Sequence, residues 1–277
     1  MYDNGSIKLT ESEKHRAQLG QFPWMVRLGA MDMDAGKLVF YCGGSLVSRQ
    51  IVVSAAHCGK LSEVARIGEN NIDENVDCEE CICAPPPQDI EIKKHIHADH
   101  CRLSNKNDII VLGLAKPATF NDFVRPICLP EKLLTPGEAK KQPMIMSGWG
   151  VVYSGFGNVY VNDFASDKNL RYVKSPILDE KHCNKVYDKK LEENQYCVGY
   201  PEGVDKPCAG DSGGPLILHR NVKGVNRAFL MGVASHDLLM CELGEMSPVV
   251  YTNVGSFTKW MKKVIIDWMN EIKTKGR

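Results

Sequence analysis

Short apolar runs rich in β-branched residues recur along most of this chain, each cut off by Gly, Pro, Asn or Asp. They cover residues 23–29, 38–47, 51–55, 90–97 and 109–114, and, beyond a polar connector at 131–142, residues 144–147, 170–177, 215–218, 229–235 and 249–254. That spacing suits a β-barrel or sandwich built in two halves. The C-terminus follows a different rule. Phe257, Trp260, Met261, Val264, Ile265, Trp268 and Met269 recur at steps of three and four, which predicts an amphipathic helix docked on its own core. No internal repeat is present.

The chain has 277 residues, 43% of them apolar and 25% charged, an ordinary globular balance with material for a sizeable core. This length exceeds a usual single domain, yet all-β units reach it as one compact body. Lys plus Arg equals Asp plus Glu at 34 each, so net charge gives no argument for nucleic acid as a partner. No stretch has the apolar length of a membrane span. Eleven scattered cysteines point to extracellular disulfides, with an odd one left over. Residues 1–10 are polar and contain no apolar leader core, so a secretory leader is expected to have been removed or to lie in sequence not contained here.

Three segments carry chemistry. Gly210-Asp211-Ser212-Gly213-Gly214-Pro215 sets a serine among glycines, which allows a backbone to approach a substrate and aim N–H groups at a developing oxyanion. Ser54-Ala55-Ala56-His57-Cys58 supplies a base to take the serine proton. Asn107-Asp108-Ile109-Ile110 supplies an acid placed for burial against an imidazole. Each segment alone is weak evidence; together they are the parts of a nucleophilic serine.

Their order, and the blocks Gly20-Gln21-Phe22-Pro23-Trp24, Cys42-Gly43-Gly44-Ser45-Leu46, Arg66-Ile67-Gly68-Glu69 and Ser147-Gly148-Trp149-Gly150, resemble the trypsin-like serine peptidases. Asp77-Cys78-Glu79-Glu80, Cys83-Ala84-Pro85-Pro86 and the stretch from Phe120 to Pro130 look most like arthropod proteases that carry clip domains, although no clip domain is present in this sequence. The resemblance implies an all-β fold of two packed six-stranded antiparallel barrels of the chymotrypsin type with a C-terminal helix. A polar segment at 1–16 would precede a peptidase domain at 17–277, with a first barrel at about 20–115, a second at about 140–255 and the helix at about 256–271.

It further implies a secreted endopeptidase that cuts peptide bonds through an acyl-enzyme. Ser212 would be the nucleophile, His57 the acid and base, Asp108 its orienter, the N–H groups of Gly210 and Ser212 the oxyanion hole, and Ser235 a support for Asp108. Implied disulfides are Cys42–Cys58, Cys78–Cys83, Cys183–Cys197 and Cys208–Cys241. Met144 and Leu218 stand where another family bridge would lie. Cys81, Cys101 and Cys128 remain; Cys128 matches a cysteine that tethers an upstream light chain, which would be a partner besides the protein or peptide substrate. No cofactor is required by this reading and no metal site is assigned. Calcium at Glu69, Asn71 and Glu79 is the lesser alternative, because Cys78 interrupts that loop.

Two departures from the family matter. Family members free an Ile-Val-Gly-Gly-like terminus whose ammonium pairs with the aspartate matching Asp211, but here the expected site reads Glu11-Ser12-Glu13-Lys14, and Ile7 could serve only across an insertion. The specificity pocket is altered as well: Lys206 stands at its floor, Asp237 and Val249 replace small wall residues, and His236 replaces a tryptophan. Cleavage after Arg or Lys is therefore disfavoured and a narrowed pocket is expected. The alternative is a weakly active or non-catalytic homologue that serves a cascade as a cofactor or binding protein.

Overall fold

The structure is a computed structural model that describes residues 15–59, 61–100, 106–149, 152–153, 168–199, 206–207, 212–236 and 248–275. Its strands are β1 (Met25–Asp32), β2 (Lys37–Ser48), β3 (Ile51–Ser54), β4 (Val64–Ile67), β5 (Cys78–Glu79), β6 (Ile82–Cys83), β7 (Gln88–His97), β8 (Ile110–Leu114), β9 (Met144–Gly148), β10 (Val152–Tyr153), β11 (Arg171–Ser175), β12 (Gln195–Val198), β13 (Lys206–Pro207), β14 (Pro215–Val222), β15 (Val225–His236) and β16 (Val249–Asn253).

The first half closes as an antiparallel barrel in the order β1-β2-β3-β8-β7-β4. Its interior is filled by Val26, Leu28, Leu46, Ile51, Val53, Ile67, Ile110 and Leu112, all fully buried. Removing such side chains from water contributes about 1.5–3 kcal/mol each and is what closes the ring. The β1–β2 hairpin is set by Asp32, whose Oδ1 accepts the N–H groups of Asp34 and Ala35 at 3.0 and 2.9 Å, a local turn that a short acceptor side chain makes on its own.

The second half is a six-stranded sheet in the order β11-β9-β14-β15-β16-β12. The two ends of this sheet, β11 and β12, come together at an isolated bridge between Ile177 and Val198, so the second half is less fully closed than the first. The cause is Pro176 at the seam, which has no N–H to give and so interrupts the ladder, accepting through its carbonyl from Gly199 at 3.0 Å. Met144 and Leu218 face each other across β9 and β14 and both are fully buried. An apolar pair thus occupies the two positions where a bridge was missed in the sequence.

The C-terminal helix runs Thr258–Lys275 behind a single 3₁₀ turn, Val254–Phe257. Met261 and Trp268 are buried, and Trp260, Val264 and Ile265 pack against the same core. The helical spacing of the sequence therefore is its packing face. One cluster joins the halves, since Ile217, Leu230 and Val233 of the second sheet share the core of the first barrel. The halves are also stitched through Asn70, whose carbonyl accepts the Leu170 N–H at 2.7 Å and Trp149 Nε1–H at 3.0 Å.

Candidate active site

His57 lies in a one-turn helix, Ala56–Gly59, directly after β3. Asp108 lies just before β8, after Asn107, which takes a left-handed conformation with φ 56° that asparagine tolerates better than most residues. The turn is held by Asn107 Nδ2–H donating to the Asp99 carbonyl at 2.8 Å and by Asn194 Nδ2–H donating to Asn107 Oδ1 at 2.7 Å. Consequently Asp108 is fully buried, with its carboxylate aimed at the imidazole.

Every polar atom of that carboxylate is engaged. The His57 N–H donates to Oδ1 at 2.9 Å, His57 Nδ1 donates to Oδ2 at 2.7 Å, and the Ser235 hydroxyl donates to Oδ2 at 2.7 Å. Thr252 Oγ1 donates to the Asp108 backbone carbonyl at 3.0 Å. Burial alone would raise the Asp108 pKa, but the His57 hydrogen bond and charge, with the Ser235 hydroxyl and the His57 N–H, hold it below the usual carboxylate range. Two halves of the fold cooperate here, because His57 comes from the barrel while Ser235 and Thr252 come from β15 and β16.

Ser212 enters from the second half. Its carbonyl accepts the Gly43 N–H at 2.7 Å, and the next residue, Gly213, has φ 81° and space for no side chain: a Cβ there would come 2.2 Å from Ser54 Oγ and 2.5 Å from the Gly43 carbonyl. The Cys42–Cys58 disulfide is the meeting point. Cys58 Sγ lies 3.5 Å from His57 Nε2 and 3.6 Å from the Ser212 carbonyl oxygen. The His57 side chain is 35% exposed, so the imidazole is partly open to solvent. No hydrogen bond joins Ser212 Oγ to His57 Nε2 among the described residues, and the last link of a Ser-His-Asp chain is open in this structure.

Of the other site residues expected from sequence, Gly210, Asp211 and Asp237 lie outside the described residues, as does Ile7. For Lys206 and His236 only the backbone is described: Lys206 pairs with Tyr153 in β13, and His236 pairs with Val250 in β15. Val249 is 7% exposed and belongs to the core of the second sheet. Before β1, the Arg16–Ala17 segment docks along β11, with the Ala17 N–H donating to Leu170 at 2.8 Å and the Tyr172 N–H to His15 at 2.9 Å.

Disulfides join Cys42–Cys58, Cys78–Cys83 and Cys183–Cys197; Cys208, Cys241 and Cys101 lie outside the described residues. Cys81 and Cys128 carry free thiols. Glu79 Oε2 accepts the Leu19 N–H at 2.7 Å, Asn71 Oδ1 accepts the Asp73 N–H at 3.2 Å, and Glu69 Oε2 faces Arg66 Nη1 at 3.6 Å. Cys42, His57 and Cys58 are the one close grouping of potential metal donors among the described residues, and the two sulfurs are bonded to each other.

Sequence reasoning missed three features. A cavity of about 190 Å³ lies beside Gly43 and Gly214, walled by Met25, Arg27, Tyr41 and Trp149 among others. Arg27 is held there over the Phe40 ring at 4.7 Å. Thr252 and His100 both approach Asp108, and no local pattern in the chain marks either one.

A profile of the trypsin family matches residues 12–261. Serine protease ea of Drosophila melanogaster is 36% identical over 274 residues, covering 90% of this chain and 66% of that protein. Trypsin V-A of Rattus norvegicus is 33% identical over 237 residues, covering 86% of this chain and 84% of that one. The chain therefore spans about two thirds of the length of its arthropod relative. A crystal structure of the Drosophila Grass clip serine protease of the Toll pathway matches with a TM-score of 0.77 at 27% identity, covering 91% of this chain and 71% of that one.

Proposed function

Because the chain belongs to the trypsin family of serine proteases, we propose that it is a secreted serine endopeptidase in which Ser212, His57 and Asp108 act as the triad. The observation that carries this reading is the fully engaged Asp108 carboxylate, which fixes His57 with Nδ1 toward the acid and Nε2 away from it. An imidazole held that way is a base in one tautomer and orientation only.

In this reading the Ser212 hydroxyl turns toward His57 Nε2 and gives up its proton as Oγ attacks the carbonyl carbon of the substrate. Asp108 stabilises the imidazolium that results. The N–H groups of Gly210 and Ser212 receive the oxyanion. Collapse of the tetrahedral intermediate breaks the C–N bond, and His57 returns its proton to the leaving amine. Water, deprotonated by His57, then hydrolyses the acyl-enzyme and restores the serine.

Specificity is restricted and non-tryptic. Lys206 at the pocket floor repels a basic side chain, and the bulk of Asp237, His236 and Val249 narrows the entrance. Asp211 takes the role of shaping the oxyanion hole once a cation reaches it. The free thiol of Cys128 suits a mixed disulfide with an upstream light chain.

A second reading, a weakly active or non-catalytic homologue working as a cascade cofactor or binding protein, is favoured by the open Ser212–His57 link together with Lys206. Fluorophosphonate labelling of the mature protein separates the two. Stoichiometric labelling is expected, and Ser212→Ala should abolish it; a wild-type protein that takes no Ser212-dependent label belongs to the second reading.

A further inference from the structure

Asp108 has a second imidazole beside it. His100 sits between β7 and Asp108 with its side chain 7% exposed, and its Nδ1 lies 3.9 Å from Asp108 Oδ1. The same nitrogen is 3.2 Å from the Lys106 carbonyl. Both neighbours accept hydrogen bonds, so the proton of the neutral ring belongs on Nδ1. Nε2 is then a bare acceptor, and it is buried with no partner. Buried ring nitrogens are rarely left this way.

We propose that His100 is a positioning residue for the Ser212 reaction: it shares the Asp108 carboxylate with His57, and a proton on His100 weakens the hold of that carboxylate on His57. This rests on the triad reading above. With His100 neutral, its Nδ1–H is given to the Lys106 carbonyl and stands 3.9 Å from Oδ1, and Oδ2 remains for the His57 ring. With His100 charged, the imidazolium draws the carboxylate charge toward Oδ1. His57 then becomes a poorer base. Coupling of this kind is mutual, so a proton on either ring disfavours one on the other.

The groups that a titration of His100 meets are few among the described residues. Asp108 is nearest, and His57 lies across it on the one-turn helix. From β15 and β16 come only the neutral hydroxyls of Ser235 and Thr252. In the loop of His100 itself stand Asp99 and Lys106, whose ammonium is 4.0 Å from Glu192; His97 ends β7.

The test has two arms. Fluorophosphonate labelling rates are measured against pH for the wild type, His100→Phe and His100→Gln. The imidazole nitrogens of His57 are titrated by NMR in Ser212→Ala with and without His100→Phe. The wild-type rate should fall on the acid side over a wider pH range than one titrating proton gives, because each proton disfavours the other, while both variants fall as one proton. In the NMR arm, the His57 midpoint should move when His100 is replaced. Superimposable rate profiles with an unchanged His57 titration overturn the proposal. His100→Gln, close in size and without a titrating ring, carries the test if His100→Phe fails to fold. If no form labels at Ser212, the triad reading has failed, and the NMR arm still decides whether the two imidazoles share Asp108.

Discussion

Glu69 is 5% exposed, and burial with the neighbouring charge of Asp77 pushes its pKa up to about 7 against the pull of Arg27 and Arg66. The folded protein therefore holds this proton more tightly than the unfolded chain, where the value is near the ordinary 4.5. Its contribution to stability is fully present below the unfolded value and is lost as pH rises through about 7. Glu69→Gln, which keeps the shape and cannot ionise, should gain on the wild type by about 2 kcal/mol between acid and mildly alkaline buffer. Urea unfolding of both proteins at the two pH values measures this; a constant difference would mean that the buried carboxyl titrates normally. At the same scale, the sequence named His57, Asp108 and Ser235 from the blocks they sit in. It was silent on His100 and Thr252, because their value lies in where the chain returns to.

At the scale of elements, the hairpin of β14 and β15 extends past the residues that its apolar pattern marks. Leu218 is the last buried residue of β14, and the strand continues through half-exposed and exposed residues to Val222. It continues because Lys223 and Gly224 both take positive φ, 53° and 83°, the two-residue turn whose twist matches paired strands. β4 and β12 were passed over for another reason, because Arg66 and Gln195 break their apolar runs. The C-terminal helix was read from its spacing alone, and its docking can be tested. A Cβ on Gly113 of β8 would fall 2.5 Å from Trp268 Nε1 and 2.9 Å from Lys94 Cβ. Gly113→Ala should therefore push the helix off its seat and cost about 1–3 kcal/mol, read from the urea midpoint. An unchanged midpoint would show that the helix shifts without loss.

Across the whole molecule, the larger core cluster runs from Val26 in β1 to Trp268 in the terminal helix, through Ile217, Leu230 and Val233 of the second sheet. A shared core makes separate unfolding of the halves costly, since each would expose apolar surface that the other covers. One transition is expected in urea, with tryptophan fluorescence and far-ultraviolet circular dichroism giving the same midpoint. Two midpoints would mean that the halves are energetically independent. The same interface builds the site, for the barrel supplies His57 and Asp108 while the second sheet supplies Ser212, Ser235 and Thr252.

By itself the sequence determined the β-rich halves and the terminal helix, and it named the three residues proposed as nucleophile, base and acid. These are written in local patterns: alternation, three-and-four spacing, and short blocks whose neighbours are fixed by covalent order. Only the tertiary structure decided that the ends of the second sheet meet at an isolated bridge, that Asp108 is held from both sides and that a second imidazole stands beside it. Each of these depends on distances between segments far apart in the chain, which are set by how the two halves pack.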